Sequence, residues 1–506
     1  PSVGAPGSPS HPSPGTRAAQ AGTSPSPSSL RMSFPDGFLW GAATSAFQIE
    51  GSPLADGAGP SIWQRFARTP GLTVGGETGD VACDHYHRMP EDVALMRRLG
   101  LQAYRFSVNW GRVLPDGTGA VNGPGLDFYD RLVDRLAEAG IEPMLTLYHW
   151  DLPAALDDRG GWLNRDVADW LADYARVVHA RLGDRVSRWI TLNEPWVVMD
   201  GGYVRGGLAP GHRVHAEGAM VAHHLLLAHA RATAALRAEG AGDVGIAVNL
   251  EPKVAATDKP EDVAATARAD AYMNRIFLDP IVHGRYPEEL PEVFGASWPT
   301  FADADLDEIR TETDFFGINY YTRAVCVDDP DDAPERARRV RQPRHPYTEM
   351  GWEVYAPAFR DLMVWVRDRY GDIPQYVTEN GASFYDPPQV VGGEVSDPMR
   401  IAYLHDHLLA VRDAIAAGVD VRGYFAWSLL DNVEWSQGTT KRFGLVHVDF
   451  ETLARTPKQS AAFYREVIDS NGACLADAPR IPTTEAVVAS AHQTASSLQE
   501  AASSSA

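Results

Sequence analysis

The sequence predicts an α/β protein folded as a closed (β/α)8 barrel of the TIM type, a single domain with enlarged βα loops. Two observations predict it. Eight short β-rich runs alternate with helical segments along the chain, and polar side chains gather at the C-terminal ends of those runs. The runs are 38–44 (FLWGAAT), 103–108 (AYRFSV), 142–150 (EPMLTLYHW), 188–195 (RWITLNEP), 244–250 (VGIAVNL), 315–322 (FFGINYYT), 375–381 (QYVTENG) and 421–429 (VRGYFAWSL). Between them, 92–99 (DVALMRRL), 129–139 (YDRLVDRLAEA) and the Ala/Leu-rich 222–236 have helical character, and Gly100 and Gly140 supply stop signals. Such alternation calls for a parallel sheet, and eight units in one domain call for closure. No glycine-rich phosphate fingerprint follows any run, which disfavours a doubly wound dinucleotide fold.

Composition sets the boundaries. Of the first 32 residues, 25 are Pro, Ser, Gly, Ala or Thr, and residues 474–506 are rich in Ala, Ser and Thr. Both stretches are expected to be disordered tails around a catalytic domain at 33–473. The net charge of −22 repels phosphate backbones and anionic lipid heads, which disfavours nucleic acid and membrane partners. Cys83, Cys326 and Cys474 are too scattered for a disulfide framework or a CxxC metal site. There is no apolar run of membrane-spanning length and no signal-peptide layout, so a soluble cytoplasmic protein is expected.

In a barrel the strand ends converge on one face, where barrel enzymes keep their chemistry. The converging residues are Gln48, Arg105 with Asn109, His149, Asn193 with Glu194, Asn319 with Tyr321, Glu379 with Asn380, and Trp427 with Glu434 beyond it. Glu194 and Glu379, on the fourth and seventh runs, can face each other across the mouth. Pro195 is expected to hold Glu194 in extended backbone. Two facing carboxylates admit three readings. A metal site wants further carboxylates, and HExxH and EF-hand spacings are absent. A structural ion pair with Arg105 is the second. Glycoside hydrolysis is the third: two carboxyls about 5 Å apart support double displacement. It also accounts for the sugar-platform candidates Trp150, Trp352, Trp427 and Trp435, set beside the hydroxyl partners Gln48, His149, Asn193 and Glu434.

The motifs FPDGFLWGAATSAFQIEG, CDHYHR, YRFSVNWGRVLP, TLYHWDLP, TLNEPW, INYYT, TEMGWEV, YVTENG, FAWSLLDNVEW and KRFG occur in that order. Through them the chain resembles glycoside hydrolase family one, the β-glucosidase family, and its bacterial members in particular, over about 34–468. The resemblance implies Glu194 as acid/base and Glu379 as nucleophile, with Arg105 and Tyr321 touching Glu379 and Asn319 close by. The cation and the phenol are expected to lower the Glu379 pKa, while that of Glu194 is held higher. Gln48, His149, Asn193, Glu434 and Trp435 would bind the non-reducing sugar. Trp427 would floor the pocket, Phe443 would help close it, and Trp352 would flank the leaving group. A non-proline cis peptide is expected at Trp427–Ser428.

Thr439 and the pair Ala358–Phe359 depart from the usual family pattern, outside the proposed sugar contacts. The implied substrates are small β-glucosides and oligosaccharides, with side activity on β-fucosides and β-galactosides and no cofactor or metal. Three rivals are weaker. A 6-phosphoglycosidase would meet repulsion at Glu434. The thioglucosidase branch replaces the acid/base, which is intact here. A non-catalytic sugar-binding protein would tend to lack one glutamate. His223, His224 and His229 share one helix without ligand-pair spacing and are expected to be structural, as are His85 and His87.

Overall fold

The computed structural model describes residues 33–476, except 388, 389, 391, 392 and 394. Eight parallel strands form the barrel: β1 (Leu39–Ala43), β2 (Ala103–Ser107), β3 (Glu142–Tyr148), β4 (Arg188–Asn193), β5 (Asp243–Asn249), β6 (Phe315–Asn319), β7 (Gln375–Asn380) and β8 (Val421–Trp427). Each pairs with the next in order and β8 pairs with β1, so no edge is left open. All eight expected runs are strands. Each run extends past the C-terminal end of its strand. Trp150 and Glu194 have φ values of 76° and 48°, and left-handed backbone cannot continue a strand.

Apolar packing lies in two layers. Inside the barrel, Ala103, Met144, Ile190, Ala247, Phe315, Tyr376 and Phe425 fill the interior. Alternating small and large residues suit that taper. A Cβ at Gly41 or Gly245 would lie 2.5 Å from the ring of Phe425 or Phe315, so glycine makes room for the phenyl groups. Outside the sheet, the helices bury their apolar faces on the strands in a single large cluster. The three helical segments read from sequence are longer in the structure: His85–Arg98, Gly123–Ala139 and Gly218–Ala238. Gly140 closes the second with φ 70°.

The enlarged loops carry their own structure. Lys253–Ala255, Ala324–Asp328 and Ala337–Arg339 form a three-stranded sheet, and Val446–Val448 pairs with Arg455–Pro457. The histidines noted above have structural partners. His223 contacts Tyr286 and Asp305, His224 the carbonyl of Trp162, His229 Thr191, and His85 Asp92. At the C-terminal end the fold runs three residues past the expected boundary at 473. Leu475 is buried in the main cluster, and its carbonyl accepts from the His405 ring. Of the expected tails 1–32 and 474–506, residues 1–32 and 477–506 lie outside the described residues. Among the described residues no helix is long and apolar enough to cross a membrane.

Candidate active site

Arg105 organises the barrel mouth. It lies in β2, fully buried, and its guanidinium reaches residues of three other strands, β3, β4 and β7. Nη1 donates to Glu379 Oε1 (2.6 Å) and to the Thr378 carbonyl (3.0 Å). Nη2 donates to Asn193 Oδ1 (2.6 Å), and Nε to Thr146 Oγ1 (3.2 Å). A cation so placed fixes the orientation of every amide around it. Asn193 must accept on Oδ1, so its Nδ2 donates to His149 Nε2 (3.0 Å). The His149 proton is thereby assigned to Nδ1, an atom with no partner in the protein. Burial and the charge of Arg105 hold this imidazole neutral, its pKa well below the ordinary value.

The same logic fixes Asn319. Thr378 Oγ1 donates to its Oδ1 (2.6 Å), leaving Nδ2 to donate to Glu194 Oε1 (2.8 Å) and Asn193 Oδ1 (3.0 Å). Glu379 accepts a second bond, on Oε2, from Tyr321 Oη (2.6 Å). The two carboxylates therefore share one shell but differ in partners.

Backbone irregularity aims both of them. The β4–β5 ladder slips between Ile190 and Asn193, and the β6–β7 ladder between Val377 and Glu379. Each bulge lies at the strand end that carries a glutamate, where it re-aims a side chain. Glu194 is left-handed (φ 48°, ψ 62°), not extended as Pro195 led one to expect. Pro195 instead opens a short helix with Glu194 at its N-cap, the position where a proline's missing N–H costs nothing. Trp150 and Trp435 also hold positive φ. Strain of this kind clusters at functional sites.

Electrostatics separates the pair. Burial raises the Glu194 pKa well above the ordinary carboxyl value, and the nearby Glu379 charge raises it further. Burial raises Glu379 as well, outweighing Arg105, Tyr321 and Asn319, which pull it down. The cation and the phenol lower Glu379 as expected, but full burial outweighs them and the net shift is upward. The order survives, with the proton of the pair on Glu194. Burial and Glu379 also push Glu434 up to about 8, and its Oε2 has no protein partner.

A cavity of about 500 Å³ opens above these groups. Of the expected site residues, Glu194, Glu379, Asn319, Tyr321, His149, Trp150, Trp352, Trp427, Glu434, Trp435 and Phe443 line it. Gln48, Arg105 and Asn193 do not; each is fully buried behind the wall. The Gln48 amide donates to Asn432 Oδ1 and the Val433 carbonyl, holding the loop that leads to Glu434. Asn109 caps the turn at Trp110–Val113 by accepting from the Arg112 N–H. Aromatic rings tile the sugar-sized end. Trp150 packs on Trp435 at 4.4 Å, His149 lies nearly parallel to Trp427 and Trp435, and Trp352 and Phe443 flank Tyr321. The Trp427–Ser428 peptide is cis.

The sequence reading missed much of the other end: Trp196, Leu208, Asn249, Glu251, Lys253, Met273 and Arg339. Asn249 ends β5 and obeys the same polar-end rule as its neighbours. Trp196 directly follows the NEP motif. The others come from loops that carry no signal in one sequence. Among the described residues no cluster of three or more His, Cys, Asp or Glu is arranged to hold a metal ion.

The model described as Glycosyl hydrolase family 1 matches residues 30–473. Beta-glucosidase A of Thermotoga maritima is 48% identical over 443 residues, 87% of this chain and 98% of that protein. A bifunctional beta-D-glucosidase/beta-D-fucosidase of Bifidobacterium breve is 44% identical over 464 residues, 88% of this chain and 100% of that protein. The solved structure of a Thermotoga maritima beta-glucosidase in complex with deoxynojirimycin superposes with a TM-score of 0.85 at 47% identity, covering 87% of this chain and 99% of that one.

Proposed function

The chain belongs to glycosyl hydrolase family 1, and from that premise we propose that it is a retaining β-glucosidase. It releases terminal non-reducing β-D-glucosyl residues from small glucosides and oligosaccharides. The observation that carries this reading is the pair of buried carboxyls with unequal surroundings. Glu379, held by a cation and a phenol, is the one to ionise and act as nucleophile. Glu194, with the higher pKa, keeps the proton and acts as acid.

In the first step Glu379 attacks the anomeric carbon while the glycosidic C–O bond breaks. Glu194 passes its proton to the departing oxygen, leaving a glycosyl ester on Glu379. In the second, Glu194, now anionic, takes a proton from water as its oxygen attacks the same carbon. The ester bond breaks, Glu379 regains its charge, and the anomeric configuration is retained. Once Glu379 is esterified, its charge no longer raises the Glu194 pKa, so Glu194 stays ionised after giving up its proton and can accept one from water in the second step.

His149 Nδ1–H and Glu434 Oε2, both without a protein partner, supply directional contacts for sugar hydroxyls. Trp435, Trp427 and Trp150 supply apolar faces. Gln48 and Asn193, buried behind the wall, support the sugar contacts by holding the loop before Glu434 and the His149 ring. A carboxyl at Glu434 tolerates either orientation at the fourth carbon, so β-fucosides are turned over comparably and β-galactosides about ten- to a hundredfold less well. The Bifidobacterium breve relative is named for both glucosidase and fucosidase activity.

Two measurements test the reading. NMR of the first product anomer from a β-glucoside should show β-glucose; α-glucose would mean inversion. A panel of nitrophenyl glycosides with cellobiose, laminaribiose and a 6-phosphoglucoside should rank glucoside first. Efficient turnover of the phosphorylated sugar would overturn the role given to Glu434.

A further inference from the structure

The cavity does not end at the sugar pocket. Its far wall is built by the three-stranded sheet and the helices beside it, and it carries a concentration of charge that the hydrolysis step does not use. Lys253, Arg339 and Arg205 line it, with Glu251 and Glu335. Lys253 and Arg339 sit on the two outer strands of the small sheet, opposite Ala324 and Cys326 of its central strand. Glu251, between β5 and that sheet, accepts from both of them. One carboxylate thus answers two cations. Arg205, at the end of the helical segment Val198–Val204, donates through Nε to Asp200 (3.1 Å) and through Nη2 to Glu335 (3.1 Å).

Exposure decides which sign an incoming group meets. The side chains of Arg205 and Arg339 are 42% and 44% exposed, while those of Glu251, Asp200 and Glu335 are 5%, 8% and 16% exposed. The acids lie behind and the guanidinium groups face outward. Each guanidinium has more N–H donors than its carboxylate partners occupy. Trp196, Leu208, Met273 and Trp352 line the same cavity. The cavity therefore sets apolar and aromatic surface together with the exposed guanidinium donors of Arg205 and Arg339, Lys253 being nearly buried behind them. At the opposite end, Glu194, Glu379 and Glu434 are all acids. In a protein of net charge −22, this polarity runs against the general field.

We propose that the leaving-group side of this cavity is a subsite for an aromatic aglycone bearing a carboxylate, so that β-glucosides of phenolic acids are preferred over their neutral counterparts. The proposal rests on the β-glucosidase reading and extends it to the substrate class. The ring packs on that apolar and aromatic surface, and the carboxylate accepts from Arg339 and Arg205, with Lys253 adding charge. Bidentate guanidinium–carboxylate pairing is the strong form of such a bond. It is partly desolvated here, where screening is weaker than at an open surface.

The test compares 4-carboxyphenyl β-glucoside with 4-carbamoylphenyl β-glucoside, which has nearly the same shape and no charge. Wild type should show a KM at least about fivefold lower for the carboxylate. That ratio should fall toward one in Arg339→Gln and in Lys253→Met, and in wild type as salt is raised to about 1 M. Because the ratio is read within each variant, a general loss of activity cancels. The salt series needs no variant, so a folding failure does not spare the proposal. A carboxylate that binds no better than the amide, or a preference untouched by both substitutions and by salt, overturns it. 4-Nitrophenyl β-glucoside serves as the control: if it is not hydrolysed either, the β-glucosidase reading fails rather than the subsite.

Discussion

At Glu194 and Glu379 one physical term, burial, acts alike on both carboxyls, and the difference between them comes from their partners. Arg105 and Tyr321 both bond Glu379, whereas Glu194 receives the Asn319 amide and the repulsion of Glu379. Removing that repulsion with Glu379→Gln should lower the Glu194 pKa, read by the pH dependence of its carboxyl signal in infrared difference spectra. An unchanged titration would mean that burial alone sets it. Glu379→Ala should abolish turnover, with azide restoring it to give an α-glycosyl azide. Glu194→Ala should keep the first step for good leaving groups and give a β-glycosyl azide, and swapped products would reverse the roles. Glu434 offers a stability test. Its folded-state pKa of about 8 lies above the ordinary 4.5, so the folded protein holds this proton more tightly than the unfolded chain. That contribution is complete at low pH and is lost as pH rises through about 8. Glu434→Gln should therefore gain a few degrees in Tm over wild type between pH 5 and 8, with little difference at pH 4. A gap constant with pH would contradict the buried, raised carboxyl.

The loop after β8 illustrates how an element holds a site. Asp431, fully buried, accepts from Lys458 Nζ (2.8 Å), Arg442 Nη1 (2.7 Å) and the Gly444 N–H (2.9 Å). Lys458 continues to Asp386, which Arg400 also binds, so the loops after β7 and β8 are tied by one ionic network. Asp431 stands between Trp427 and Glu434, and Gly444 follows Phe443. Asp431→Asn leaves the buried Lys458 with Asp386 alone and the partly buried Arg442 without its carboxylate, and should cost about 3 kcal/mol. Calorimetry should register that loss, and KM for glucosides should rise as Glu434 and Phe443 shift. A normal KM with lowered Tm would mean that the network supports the barrel but not the pocket.

For the whole molecule, the ends of the folded chain meet beneath the barrel. The Phe34 N–H donates to the Asn471 carbonyl, Asn471 Nδ2 donates back to the Phe34 carbonyl, and Trp40 Nε1 donates to Asn471 Oδ1. Leu475 packs into the same cluster. A chain of residues 33–476 should thus keep the Tm and kcat/KM of the full-length protein, while ending at 473 should lower Tm by removing Leu475 and its bond to His405. A loss of several degrees in the longer truncation would assign the excluded segments a part in the fold.

Several features were set by local sequence. The eight strands were legible because β-rich runs and helical segments are short-range signals, and the polar ends of the runs marked the face that carries the cavity. Glu194, Glu379, Tyr321 and Asn319 were legible there, since a polar residue at the end of a buried strand has few structural reasons to be so placed. The tertiary structure decided what depends on long-range neighbours. It set the left-handed turn at Glu194, which is formed by a bulge in the β4–β5 ladder and overrides the local preference of a residue before proline. The net upward shift of Glu379 needed the full burial of the site, which no motif records. The charged wall at Arg205, Lys253 and Arg339 is assembled from three segments far apart in the chain, so only the folded barrel makes them neighbours.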